Sequence, residues 1–143
     1  MTRPSAILCA FALILVAIAP PGADPARGQP TGLYLFDLLK RPAFRQSWDR
    51  LFNGATGLDP WIRRFSRGGN GVAGPSQPEQ AGGRRYVSAD VCKPHDCGDN
   101  QLYVLFTADG ARAWAVLRTP RGAQWFGAPG DAERTLLGRR LAE

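Results

Sequence analysis

Two runs of alternating side chains meet across the six residues Cys92-Lys93-Pro94-His95-Asp96-Cys97, and this junction constrains the fold more than any other part of the chain. In the first run Tyr86, Ser88 and Asp90 alternate with Val87, Ala89 and Val91. In the second, Gln101 to Thr107, the apolar Leu102, Val104 and Phe106 share one face. A period of two is the mark of a strand. Two strands this close in sequence should pair as a hairpin, with the cysteine segment at its end. Asp109-Gly110 is a hairpin turn signal. A third strand follows over Arg112 to Thr119, Pro120-Arg121-Gly122 turns the chain, and Ala123 to Phe126 can form a fourth. Asp131 is a plausible N-cap for a closing helix over Ala132 to Leu141, with Leu137 and Leu141 on one face.

Ahead of the strands the spacing is helical. Leu35, Leu38 and Leu39 fall on one face. Pro42 restarts a helix where its missing N–H costs little. Phe44, Trp48, Leu51 and Phe52 then trace one apolar stripe, and Asn53-Gly54 is a stop signal. Such an aromatic stripe packs a core. Leu58-Asp59-Pro60-Trp61-Ile62 opens a second short helix whose Trp61, Ile62 and Phe65 can close over that core. Residues 68–83 hold six Gly and two Pro, a composition that favours a flexible, disordered loop. Helices first, a strand meander next and a helix last predict an α+β fold with an antiparallel sheet.

The N-terminus stands apart. Met1-Thr2-Arg3-Pro4 carries a positive charge, Ala6 to Ala19 is a run of fourteen apolar residues, and Pro20-Pro21-Gly22-Ala23 breaks it. This is the anatomy of a secretory signal peptide, too short for a permanent membrane anchor. With a cut after Ala23, residues 1–23 are leader and 24–143 form one domain. Cys9 leaves with the leader, and Cys92 and Cys97 remain. An even pair in an exported protein reads as a disulfide. The mature product is then soluble, and periplasmic in a Gram-negative cell. It keeps 17 Lys and Arg against 12 Asp and Glu. Such an excess suits nucleic acid, an anionic polymer or an acidic protein. Export argues against nucleic acid.

A disulfide across five positions and the fixed dihedral of Pro94 both stiffen the cysteine segment. A stiff loop loses little entropy on binding. Its contents, Lys93, His95 and Asp96, are polar, and His95 is the only histidine in the chain. An imidazole both donates and accepts hydrogen bonds, and Asp96 can accept from a partner or orient the ring. Other readings stand beside this one. Cys92, His95, Asp96 and Cys97 are all metal-ligand types, but a structural zinc site normally draws on two separated pairs. A redox pair would favour Cys-x-x-Cys spacing. A catalytic histidine lacks a nucleophile here, with no Gly-x-Ser-x-Gly elbow and no free cysteine. The plainest alternative is a structural staple with an incidental histidine.

Cys-Lys-Pro-His-Asp-Cys, followed by Gly98, resembles the signature loop of the Ivy family, the periplasmic inhibitors of vertebrate (c-type) lysozyme. The resemblance extends to the apolar leader, the helix carrying Phe44, the Pro60-Trp61 pair and the strands on both sides of the loop. It implies a central antiparallel β-sheet flanked by helices, with a protruding loop closed by Cys92 and Cys97. It implies a target-binding loop of Lys93, Pro94, His95 and Asp96. In that loop His95 reaches the catalytic carboxylates of lysozyme, and Asp96 adds contacts. The residues themselves point to no catalytic residue, no metal and no cofactor, and the resemblance implies a homodimer. Two other partners fit the sequence. One is a lytic transglycosylase of the cell's own, with its lysozyme-like cleft. The other is an anionic envelope polymer, for which the loop would be purely structural. The basic balance matters here, because it opposes long-range attraction to a basic lysozyme.

Overall fold

The computed structural model describes residues 31–143. The expected leader, residues 1–23, lies outside them. Three short helices come first: α1 (Leu35–Leu38), α2 (Pro42–Phe52) and α3 (Pro60–Phe65). Six strands follow: β1 (Val72–Ala73), β2 (Gln77–Ala81), β3 (Arg84–Cys92), β4 (Gln101–Thr107), β5 (Ala113–Thr119) and β6 (Gly122–Phe126). Helix α4 (Asp131–Leu141) closes the chain. The fold is α+β, as expected. Every strand pairing is antiparallel, in the order β1-β3-β4-β5-β6, with β2 also on β3. Among the described residues no helix is long and apolar enough to cross a membrane.

Local chemistry sets the helix boundaries. Pro42 and Pro60 each stand in the first turn, where a missing N–H leaves nothing unpaired. The Asp59 carboxylate caps α3 by accepting from the Trp61 N–H at 3.2 Å. Helix α4 differs from expectation. Its N-cap is Gly130, and Asp131 is the first helical residue. Glu133 does the capping instead, its Oε2 accepting from the Gly130 N–H at 3.0 Å.

Residues 68–83, expected to be an unstructured loop, instead carry β1 and β2. Both strands lie along the same edge of β3, with Val72 opposite Cys92 and Gln77 opposite Ser88. Two features permit this. An edge strand tolerates prolines such as Pro78, whose missing N–H can face away from the ladder. Gly82 and Gly83 take φ values of +55° and +71°, the pair of positive dihedrals of a tight hairpin turn. The break between β1 and β2 is tied to the N-terminal segment. There the Ser76 N–H donates to the Leu33 carbonyl and the Gly32 N–H to the Ser76 carbonyl, both at 2.8 Å.

The sheet is buried on both faces. On one, Val87, Val91, Leu102, Val104, Phe106 and Leu117 meet the apolar sides of α1, α2 and α3. Phe44 packs on Phe106 at 5.1 Å between ring centroids, and Phe52 on Phe126 at 5.3 Å. On the other, Tyr86, Tyr103, Leu105, Trp114 and Val116 meet Leu136 and Leu137 of α4. Helices, sheet and helix thus form three layers, with the β3–β4 hairpin in the middle layer.

The α4 layer contains a buried carboxylate. Tyr86 donates its hydroxyl to Glu133 Oε1 at 2.8 Å. Burial pushes the Glu133 carboxyl up. The Tyr86 hydroxyl, the backbone N–H groups of Glu133 and Gly130, and the Arg84 charge together outweigh it, leaving the group below its ordinary value. A carboxyl depressed in the folded state stabilises the fold above its unfolded pKa. That contribution disappears as pH falls through the folded pKa. Thermal midpoints across an acid series should therefore drop more steeply for wild type than for Glu133→Gln. Parallel curves would show that the ionised carboxylate does not contribute.

Candidate functional site

The last register pair of the β3–β4 hairpin is Cys92 opposite Gln101. Residues 93–100 close the hairpin beyond it. Cys92 and Cys97 are joined by a disulfide, with their Cα atoms 4.9 Å apart. Their sulfurs are therefore not available as thiolate ligands or as a free nucleophile. Among the described residues no group of three or more His, Cys, Asp or Glu side chains is placed to hold a metal ion.

The backbone of the loop is extensively bonded. The Lys93 N–H donates to the Asn100 carbonyl at 3.0 Å, extending the ladder past the last strand residues. The Asp96 N–H returns to the Lys93 carbonyl at 3.0 Å, so Lys93 to Asp96 form a turn. The Asn100 N–H donates to the Asp96 carbonyl at 2.9 Å. Within the turn Pro94 takes the second position, which its fixed φ suits, and His95 takes the third with φ +63°. A turn with Pro second and a positive φ third is of type II, where glycine or asparagine is the ordinary third residue. A histidine there costs on the order of 1 kcal/mol of backbone strain. Strain of this kind persists where the surroundings over-determine it, and it concentrates at functional sites.

Four side chains expected to meet a partner divide into two kinds. Asp96 and Lys93 are bonded to the loop and its base, and each side chain keeps 38% of its surface exposed. Asp96 Oδ2 accepts from the Asn100 side-chain amide at 2.7 Å and lies 3.7 Å from Lys93 Nζ. Lys93 Nζ is also 3.7 Å from Asp59 Oδ2, which ties the loop to the N-cap of α3. Pro94 is half-buried. His95 is exposed, and it makes no hydrogen bond or ion pair with any described residue. The loop is thus a bonded frame around one uncommitted imidazole.

Two residues outside the sequence expectation belong to this frame, and a third, Asp99, lies beside it. Asn100 and Asp59 hold the loop from its base and from α3. Asp99 stands exposed beside Gly98 at the same end of the molecule. Charge at this end is mixed: Asp59, Asp96 and Asp99 stand with Lys93, with Arg118, which donates to Gln101 at the base of the hairpin at 3.0 Å, and with Arg121, which lines one hollow with Asp59 and Lys93. The chain as a whole carries a formal charge of +6.

Comparison with known proteins shows the family. A family model described as "Inhibitor of vertebrate lysozyme (Ivy)" matches residues 43–136, a span that runs from the second residue of α2 through all six strands and the disulfide loop. A Pseudomonas aeruginosa protein named "Inhibitor of vertebrate lysozyme" is 33% identical over 121 residues, covering 75% of this chain and 76% of the relative. An uncharacterised Yersinia pestis protein is 27% identical over 147 residues, covering 92% of this chain and 91% of the relative.

Proposed function

We propose, since this chain belongs to the Ivy family of vertebrate lysozyme inhibitors, that it blocks c-type lysozyme by placing His95 in the catalytic cleft. The observation that carries this reading is the uncommitted, exposed His95 at the tip of a turn fixed by Pro94, the disulfide and the Asp96–Asn100 bond. Lysozyme cleaves with two carboxylic side chains flanking the scissile bond. An imidazole between them can hydrogen-bond to both, and the pair favours its protonated form. The loop then occupies the sugar's place. This protein performs no chemistry; it is an inhibitor and not an enzyme.

Preorganisation gives the loop its affinity. The backbone bonds and the disulfide already hold the conformation, so little further order is lost on docking. Lys93 and Asp96 act as positioning residues in this scheme, through the frame they hold. Charges farther than about 8–10 Å are screened at physiological salt, so at close range the loop contacts dominate over the basic excess of the chain as a whole. A disulfide that is part of the fold fits an oxidising compartment such as the periplasm.

The test is steady-state lysis of cell walls by a c-type lysozyme at increasing concentrations of this protein. Cleft occlusion raises the apparent KM and leaves kcat unchanged, and a cleft-filling oligosaccharide weakens binding of the protein. An unchanged rate at saturating protein, or a fall in kcat at constant KM, contradicts the mechanism.

A further inference from the structure

Among the described residues the large apolar side chains left exposed are Tyr34, Phe36 and Val72, at 43%, 46% and 58%. Tyr34 and Phe36 are two residues apart, and Val72, distant in sequence, lies with them beside Phe36. The Tyr34 and Phe36 rings stack with centroids 5.3 Å apart and planes within 2°. Phe36 and Val72 line one hollow of about 420 Å³, whose remaining wall includes Pro94 and His95. Exposed apolar groups scattered singly are ordinary, but a contiguous cluster marks an interaction surface. This one is contiguous with the loop.

The cluster is built, not incidental. Tyr34 is bridged to Pro75, next to the Ser76–Leu33 hydrogen bond. A Cβ at Gly71 would lie 2.5 Å from Val91 Cγ2 and 2.8 Å from the Phe65 ring. Only glycine lets the chain run that close to the core, and the next residue, Val72, is held outward beside His95.

We infer that Tyr34, Phe36 and Val72 form a second contact surface for the same target, seating an apolar lip of the cleft that His95 enters. This inference rests on the loop reading above. Size supports it: a stable protein–protein complex buries about 800 Å² per partner, more than a six-residue loop offers. A flanking apolar patch supplies the dry centre that such interfaces have. A second copy of this chain is a poorer occupant, because it would cover the hollow that His95 shares. A glycan is poorer too. Phe36 and Val72 bring no hydrogen-bonding group, and the stacked rings each cover one face of the other.

The experiment compares wild type, His95→Gly and the double variant Phe36→Ala with Val72→Asp in lysozyme inhibition. Thermal midpoint and sedimentation are recorded for each. The double variant should keep its fold, since both side chains are exposed, and lose at least about tenfold in potency. Equal potency of the double variant, with His95→Gly inactive, overturns the second contact surface and leaves the loop reading standing. No inhibition by wild type overturns both. A wild-type dimer that the double variant dissociates, with potency unchanged, assigns the surface to a second copy. Retention on peptidoglycan lost in the double variant, again with potency unchanged, assigns it to a glycan. Either result overturns the inference.

Discussion

Truncating Trp48 to alanine is expected to remove about 3–5 kcal/mol of stability. Trp48 is 2% exposed in the middle of α2. Its ring meets Phe52 at 4.6 Å and Phe65 of α3 at 5.8 Å, and Phe52 in turn meets Phe126 of β6. One side chain thus joins two helices into the layer that covers the sheet. Alanine would leave a cavity ringed by aromatics that cannot all collapse into it. Small domains hold about 5–15 kcal/mol in total, so the loss is a large fraction of the whole. A thermal melt followed by circular dichroism should show the midpoint lowered on the order of 10–20 °C. A midpoint within about 2 °C of wild type would mean that α2 does not anchor the core. The effect should reach the loop indirectly, because Lys93 is tied to Asp59 at the start of α3.

Replacing both cysteines, Cys92→Ser with Cys97→Ser, should affect inhibition more than stability. The chain-entropy model assigns about 2 kcal/mol to so short a loop. The fold should survive that, since neither hydrophobic layer depends on the bond. The Lys93–Asn100 and Asp96–Asn100 bonds also remain. The loop, however, would sample conformations in which His95 no longer projects, and each must be frozen out on binding. Potency should fall on the order of 10- to 100-fold, with the melt showing a folded protein. Reducing agent should reproduce the effect on wild type. Undiminished inhibition by the double variant would show that the bonded backbone alone holds the loop.

Much of this architecture is visible as periodicity. The stripe Phe44, Trp48, Phe52 forms α2, and the alternating runs form β3, β4 and β5. Strands β1 and β2 were hidden because their composition is that of a linker. Their pairing comes from β3, a partner that local pattern does not show. Gly82-Gly83 was the available signal, since consecutive glycines before an alternating run fit a tight hairpin. The second buried face of the sheet was also obscure. Tyr103, Trp114 and Val116 are covered only because α4 folds back over them.

The site was legible to a different degree at each residue. Cys92, Cys97, Pro94 and His95 stand together in the sequence, and the structure brings them into one turn. Pro94 ahead of His95 was a turn signal, but the positive φ of His95 is set by the closed loop. The bonds of Lys93 and Asp96 depend on Asn100 and Asp59, partners that no local pattern names. Phe36 and Val72 reach His95 only through the folding of α1 and β1 around the edge of the sheet.

The most direct measurement is the inhibition constant of His95→Gly against that of wild type, on one c-type lysozyme. Glycine takes a φ of +63° without strain, so the variant keeps the turn and loses only the imidazole. The account predicts a folded variant, with an unchanged or slightly raised melting temperature, that inhibits at least about 100-fold less well. A His95→Gly protein as potent as wild type would contradict it.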